Sequence, residues 1–150
     1  MEDNAVSTLP NLHPNAAASL AKWHDMIARA DLSDLPAIVH PNATFRSPVA
    51  INPYRSADAL VLALRTVLQV FQDFTYHRQA VTPDGLSVVL EFGANVADKT
   101  VKGIDFIRFD EAGRIVDFEV MMRPLNGVQT LAAEMGRRLG DVLPSFKVKG

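Results

Sequence analysis

One carboxylic acid in this 150-residue chain stands out because of its neighbours. Asp105 interrupts the apolar run Ile104, Phe106, Ile107 and Phe109. Side chains on a strand alternate between faces, so Asp105 shares its face with Ile107 and Phe109. A carboxyl in such surroundings has its charged form disfavoured, which raises its pKa. It can then donate a proton or a hydrogen bond near neutrality. The competing reading is a carboxylate bonded to a neighbouring strand or to a trapped water. Trp23 lies on the apolar stripe of an N-terminal helix; it can floor a pocket with its N–H aimed at a ligand, or simply pack in the core. Tyr54 is placed in the loop before the longest apolar helix, at a pocket mouth, and the adjacent Arg55 reads as solvated.

Other chemistries are excluded by residue type or spacing. The chain has no cysteine, which removes disulfides, thiol nucleophiles and Cys-ligated zinc. The histidines, His13, His24, His40 and His77, show no HxH, HxxxH or HExxH spacing, so no metal site is expected. His13 reads as exposed in an arm. His24 or His77 becomes a general base only if it faces a cavity. There is no GxSxG elbow, phosphate-binding glycine loop or dinucleotide fingerprint, and no cofactor is expected.

The elements that must position these residues follow from periodicity. Leu20, Trp23, Ile27 and Ala30 repeat at helical spacing from Asn15, a candidate cap. Leu35, Ile38 and Val39 give a short second helix that stops near His40, ahead of Pro41. Ala43 to Val49 reads as a strand with Pro48 near its end. After a turn at Asn52 and Pro53, Ser56 caps a helix striped by Leu60, Leu64, Val67, Leu68 and Phe71. The period then changes to two. Strands are expected over 74–82, 86–96, 100–109 and 114–123, joined by short turns into an antiparallel meander. Pro124 to Gly127 ends the sheet, and Val128, Leu131, Ala132, Met135 and Leu139 form a last helix stopped by Gly140. Helices first, strands later and no βαβ alternation indicate an α+β fold. The expected organisation is a loose arm over 1–14, one domain over 15–141 and a tail over 142–150.

Several segments resemble the nuclear transport factor 2-like (SnoaL-like) superfamily. They are the corner Ala30 to Leu35, the stretch His40 to Val49 and the hairpin Gly103 to Glu119. The resemblance spans roughly residues 16–123. It implies a cone: a curved, mainly antiparallel sheet wrapped around N-terminal helices, closed by a C-terminal helix. It also implies that Val88, Leu90, Phe92, Phe118, Val120 and Met122 line an internal pocket with Ile107 and Asp105. Phe118 and Met122 would make an adaptable wall. Laid along the ketosteroid isomerases of this superfamily, whose acid chemistry is well understood, the tyrosine donor falls on Trp23. The carboxylate base falls on Ser47, and the protonated aspartate on Asp105. A serine hydroxyl is no substitute for a carboxylate base, which argues against isomerisation by that mechanism. The superfamily holds isomerases, dehydratases, cyclases and non-catalytic carriers, so resemblance leaves the function open. A cofactor-free proton-transfer enzyme acting on a small apolar molecule is one reading. Its alternatives are a binding module and a dimeric interaction domain.

The face opposite Asp105 carries Val89, Glu91, Phe106, Arg108, Asp117, Glu119, Met121 and Arg123. This mixture is too charged for a core and too apolar for open solvent. It suits a homodimer through the sheet, with Arg108 or Arg123 meeting Glu91 or Glu119 of the second copy. A net charge of −2 gives no footprint for nucleic acid. No apolar run reaches membrane-spanning length, and no basic-then-apolar leader opens the chain; a cytoplasmic location is expected.

Overall fold

The computed structural model describes residues 9–140. The expected tail and the first eight residues of the expected arm lie outside the described residues. The rest of that arm is anchored: Leu12 is buried, and the His13 N–H donates to the Gly85 carbonyl at 2.8 Å.

Helix α1 spans Pro14–Arg29. Its cap is His13 rather than Asn15: the His13 Nδ1 accepts the Asn15 N–H at 3.2 Å, and Pro14 opens the helix, where a missing N–H is harmless. Asn15 instead donates its side-chain amide to the Glu111 carbonyl at 2.8 Å. The buried face of α1 is Ala16, Ser19, Leu20, Trp23 and Met26, the i, i+3, i+4, i+7 stripe of an amphipathic helix. The second helix is a single 3-10 turn, Leu35–Ile38.

Strand β1 runs Val39–Arg46, earlier than expected, so Pro48 lies beyond it. The earlier start comes from pairing: β1 lies parallel to β6, Ile115–Arg123, with a register shift between Val39 and Thr44. That irregular stretch holds Pro41, which has no N–H to give a ladder. Tyr54 is not in a loop; with Arg55 it forms the two-residue strand β2, paired antiparallel to β1.

Helix α2, Ala57–Val70, starts at Ser56, whose Oγ accepts the Ala59 N–H. It buries Leu60, Val61, Ala63, Leu64 and Val70, more than one side. Strands β3 (Gln72–Val81), β4 (Ser87–Val96) and β5 (Lys99–Phe109) follow. With β6 they make the antiparallel meander, and the full sheet order is β2-β1-β6-β5-β4-β3. The sheet is curved, mixed and unclosed, and the fold is the α+β cone.

Helix α3 runs Leu125–Leu139, directly after Pro124. The sheet ends before Pro124 as expected, with β6 stopping at Arg123, but α3 starts early enough to take in Gly127, and glycine weakens a helix interior. Packing overrides that tendency: a Cβ on Gly127 would strike Val101 of β5, so the missing side chain lets α3 lie close against the sheet.

Gly103 faces a similar constraint within β5. A Cβ there would meet the Met121 carbonyl and the Phe92 ring, one backbone and one fully buried. Gly103→Ala is therefore expected to destabilise the fold by about 3 kcal/mol, read as a lower midpoint in urea unfolding.

Candidate functional site

The inner face of the sheet follows the expected parity. Asp105 on β5 sits opposite Leu90 of β4 and Val120 of β6, and is 5% exposed. Its partner comes from β3. Tyr76, opposite Phe92, reaches past β4 and donates its hydroxyl to Asp105 Oδ2 at 2.5 Å. Trp23 on α1 donates its indole N–H to the same Tyr76 oxygen at 2.9 Å. A helix and two strands are thus joined through one phenol.

Burial dominates the electrostatics of this group. The Asp105 pKa is raised to about 7 by burial, with the Tyr76 hydrogen bond pulling the other way. Tyr76 is pushed well above its ordinary value, by burial first and then by the Asp105 charge. His24 stands edge to face with Tyr76, ring centroids 5.3 Å apart. Burial lowers its pKa, so it is neutral at pH 7. Its Nε2 is buried without a hydrogen-bond partner among the described residues.

Asp105 lines a cavity of about 230 Å³. Trp23, Ser47, Tyr54 and Val120, all expected there, line it too. Val88, Leu90, Phe92, Ile107, Phe118 and Met122 do not. They share the face, but other side chains pack over them. Val88, Leu90 and Ile107 are fully buried in the packed core. Phe92 is covered by Phe74 and Phe71, at 5.0 and 5.5 Å, and Phe118 by Trp23 at 5.3 Å. Met122 packs between the two core clusters. The opposing wall comes from helices: Leu64, Val67 and Leu68 of α2 with Phe71 just beyond its end, and Leu131, Met135 and Leu139 of α3.

One of the two orienting roles changes. Trp23, for which a ligand-directed N–H and core packing were both open, commits its N–H to Tyr76. Ser47 Oγ accepts the Val49 N–H at 3.0 Å and keeps its own proton for donation. Tyr76 was missed by the sequence reading. The available signal was a phenol two residues from Phe74 on a strand, on the inner face by parity. His40 caps locally, its Nδ1 accepting the Asn42 N–H at 3.0 Å, and His77 is exposed on β3. Among the described residues no group of three or more His, Asp or Glu side chains is placed to hold a metal ion, and no helix is long and apolar enough to cross a membrane.

A family model, the SnoaL-like domain, matches residues 20–118. The chain belongs to the SnoaL-like family. A solved chain from Pseudomonas aeruginosa, described as a steroid delta-isomerase, is similar to this SnoaL-like domain at 59% identity and a TM-score of 0.87, over 91% of this chain and 99% of that one. An uncharacterized protein of cystatin-like fold from Silicibacter pomeroyi is similar at 28% identity and a TM-score of 0.78, over 92% and 95%. The epoxide hydrolase/cyclase-like enzyme SalBIII of salinomycin pyran ring formation shares the fold at 16% identity and a TM-score of 0.60, over 73% and 91%. No curated protein matches the sequence.

Because its folded pKa is raised, Asp105 contributes stability fully present below its unfolded value of 3.8, and that contribution is lost as pH rises toward 7. His24, a base with a lowered pKa, contributes stability present above 6.5 and lost as pH falls. The two oppose each other, so a variant is needed to separate them. Asp105→Asn is expected to remove a loss of about 3 kcal/mol between pH 5 and pH 8. The check is urea unfolding of both proteins across that range.

Proposed function

We propose that this SnoaL-like domain binds a small apolar molecule in its cavity and transfers a proton to it without a cofactor, with Asp105 as the acid. The observation that carries the reading is a buried carboxyl group, its pKa raised to about 7 by that burial, on the wall of a mostly apolar cavity. A general acid works best when its pKa lies near the working pH. Neutral Asp105 hydrogen-bonds an oxygen of the bound molecule and gives up its proton as charge develops there; the carboxylate so formed takes the proton the molecule releases from carbon, so one group serves as acid and then as base. Ser47 offers a second donor at the cavity wall. The Pseudomonas relative described as a steroid delta-isomerase supports an enzyme that shifts protons on an apolar skeleton.

Cavity size narrows the ligand. About 230 Å³ equals seven or eight waters at ~30 Å³ each, and falls below the ~300 Å³ at which drug-sized pockets begin. It suits one ring, or two small ones, better than four fused rings. A non-catalytic binding module is the second reading. It is favoured by the absence of a second carboxyl among the described lining residues.

The two readings separate by experiment. A small unconjugated enone such as 3-cyclohexenone should convert to its conjugated isomer. Asp105→Asn should slow conversion about 100-fold, and the wild-type rate should fall as pH rises through 7. Ligand-induced stabilisation without turnover across enones, epoxides and isoprenoid alcohols would support the binding module instead. No stabilisation by any of them would remove both.

We also propose that the outer face of the sheet joins two copies. Val89, Ile104 and Phe106 are half-buried there and Met121 is 41% exposed. The expected charge partners need revision. Glu91 is already paired with Arg78 and Lys102 within the chain, at 2.6 and 3.2 Å, and Arg108 with Asp84 at 3.0 Å. That leaves Glu119 and Arg123 to meet across the interface. Solution scattering at micromolar concentration should give a dimer mass, and Phe106→Glu, which sets a charge opposite Glu119, a monomer mass. A monomeric wild type removes the proposal.

A further inference from the structure

The hydrogen bonds around Asp105 have a fixed direction, because one member of the chain can only donate. An indole N–H carries no acceptor. Trp23 therefore spends it on a lone pair of the Tyr76 oxygen, and the single phenolic proton must go elsewhere. Its one acceptor among the described residues is Asp105 Oδ2. The reverse arrangement, a neutral Asp105 donating to Tyr76, would leave that phenolic proton without an acceptor in a buried place, which is costly.

Direction at Tyr76 sets direction at Asp105. A neutral carboxyl accepts at its carbonyl oxygen far better than at its hydroxyl oxygen. With Oδ2 held as the acceptor, the titrating proton resides on Oδ1. Oδ1 has no hydrogen-bond partner among the described residues, yet it is not among the fully buried unpaired atoms. It keeps contact with open space, and the space that Asp105 borders is the cavity.

Resting on the cavity reading above, we propose that Trp23 and Tyr76 are positioning residues that commit Oδ2 of Asp105 to the protein and leave Oδ1 as the proton-bearing atom offered to the cavity, so that the occupant carries one acceptor oxygen, a ketone or ether, on an apolar frame. The titratable groups facing Asp105 are few. Tyr76 comes from β3, with His24 of α1 behind its ring, and Tyr54 of β2 lines the same cavity. The cavity-lining side chains of α2, α3 and β6, and Leu90 beside Asp105 on β4, are apolar.

The test has one arm on the free protein and one on ligands, so that failure of the cavity reading and failure of this proposal are distinguishable. In the full chain, the Asp105 carboxyl carbon is titrated by NMR in wild type, Tyr76→Phe and Trp23→Phe. His24→Gln serves to remove the neighbouring titration. Tyr76→Phe keeps the ring but loses the donor, and should raise the Asp105 proton affinity about tenfold. Trp23→Phe should move it the same way by less, because a phenol that no longer accepts the indole N–H is a weaker donor. An unchanged or lowered affinity in folded Tyr76→Phe overturns the proposal whether or not Trp23→Phe folds. In the second arm, cyclohexanone should bind wild type about tenfold more weakly at pH 8.5 than at pH 5.5, while cyclohexane should bind equally at both. Binding of both probes without pH dependence sinks the Oδ1 assignment. Binding of neither removes the cavity reading and leaves the direction of the hydrogen bonds to the first arm.

Discussion

A carboxyl group held in an apolar enclosure is the constraint around which this structure is arranged. Removing a carboxylate from water with nothing in exchange is prohibitive, and such groups respond by keeping their proton. Asp105 does so partway: burial raises its pKa to about 7, and one strong hydrogen bond from Tyr76 keeps it from rising further. Tyr76 in turn needs its own place fixed. Trp23 does that from α1, and Phe74 does it from two residues away, edge to face at 4.9 Å. The helix that carries Trp23 is seated by the His13 cap and by Ser19, which donates to the Gly113 carbonyl at 2.5 Å. The geometry of one acid therefore depends on three regions distant in the chain.

The cavity beside that acid is itself a cost. Apolar wall that faces open space instead of other side chains forgoes their contact energy, and about 230 Å³ of such space lies beside Asp105. The surrounding packing shows that the chain can fill space where it needs to: Phe71, Phe74 and Phe92 close one region with rings 5.0 to 5.6 Å apart. The recess lies where α2 and α3 stand off from the sheet, and where the only carboxyl of its described wall projects. Coincidence of an apolar recess with a buried acid is the physical argument for a site.

Much of this was legible in the chain. Parity on the strands placed Asp105, Val120 and their neighbours on the inner face, and the α2 stripe announced a helix buried on several sides. What parity cannot give is depth. Val88, Leu90, Phe92, Ile107 and Phe118 carry the same alternation as Val120, yet other side chains pack over them, Leu90 included although it shares the level of Asp105 and Val120. That distinction depends on how far two helices stand from a curved sheet, a property of tertiary packing. The start of β1 was misplaced for a related reason. Parallel pairing with β6 is a long-range contact, and Pro41 was read locally as a stop. Tyr76 was overlooked because its importance comes from reaching across β4 to a partner 29 residues away, which no local pattern encodes.

A lone acid limits the chemistry in a useful way. A group that lends a proton to an oxygen must recover one before the next molecule arrives. Here the Tyr76 proton cannot refill it cheaply, because the phenol is held well above its ordinary pKa and its departure would place a second buried negative charge beside the first. His24 is no better a source, since burial keeps it neutral. The proton must return from the reacting molecule or from water entering at the mouth. Reactions that give back at carbon or oxygen what they borrowed at oxygen, such as isomerisation through an enol or intramolecular ring closure, satisfy that balance within one bound complex. Reactions that consume a proton require the mouth to admit water between turnovers. With Oδ2 tied to the phenol, both events pass through Oδ1, so the occupancy of a single oxygen atom decides which class the site can support.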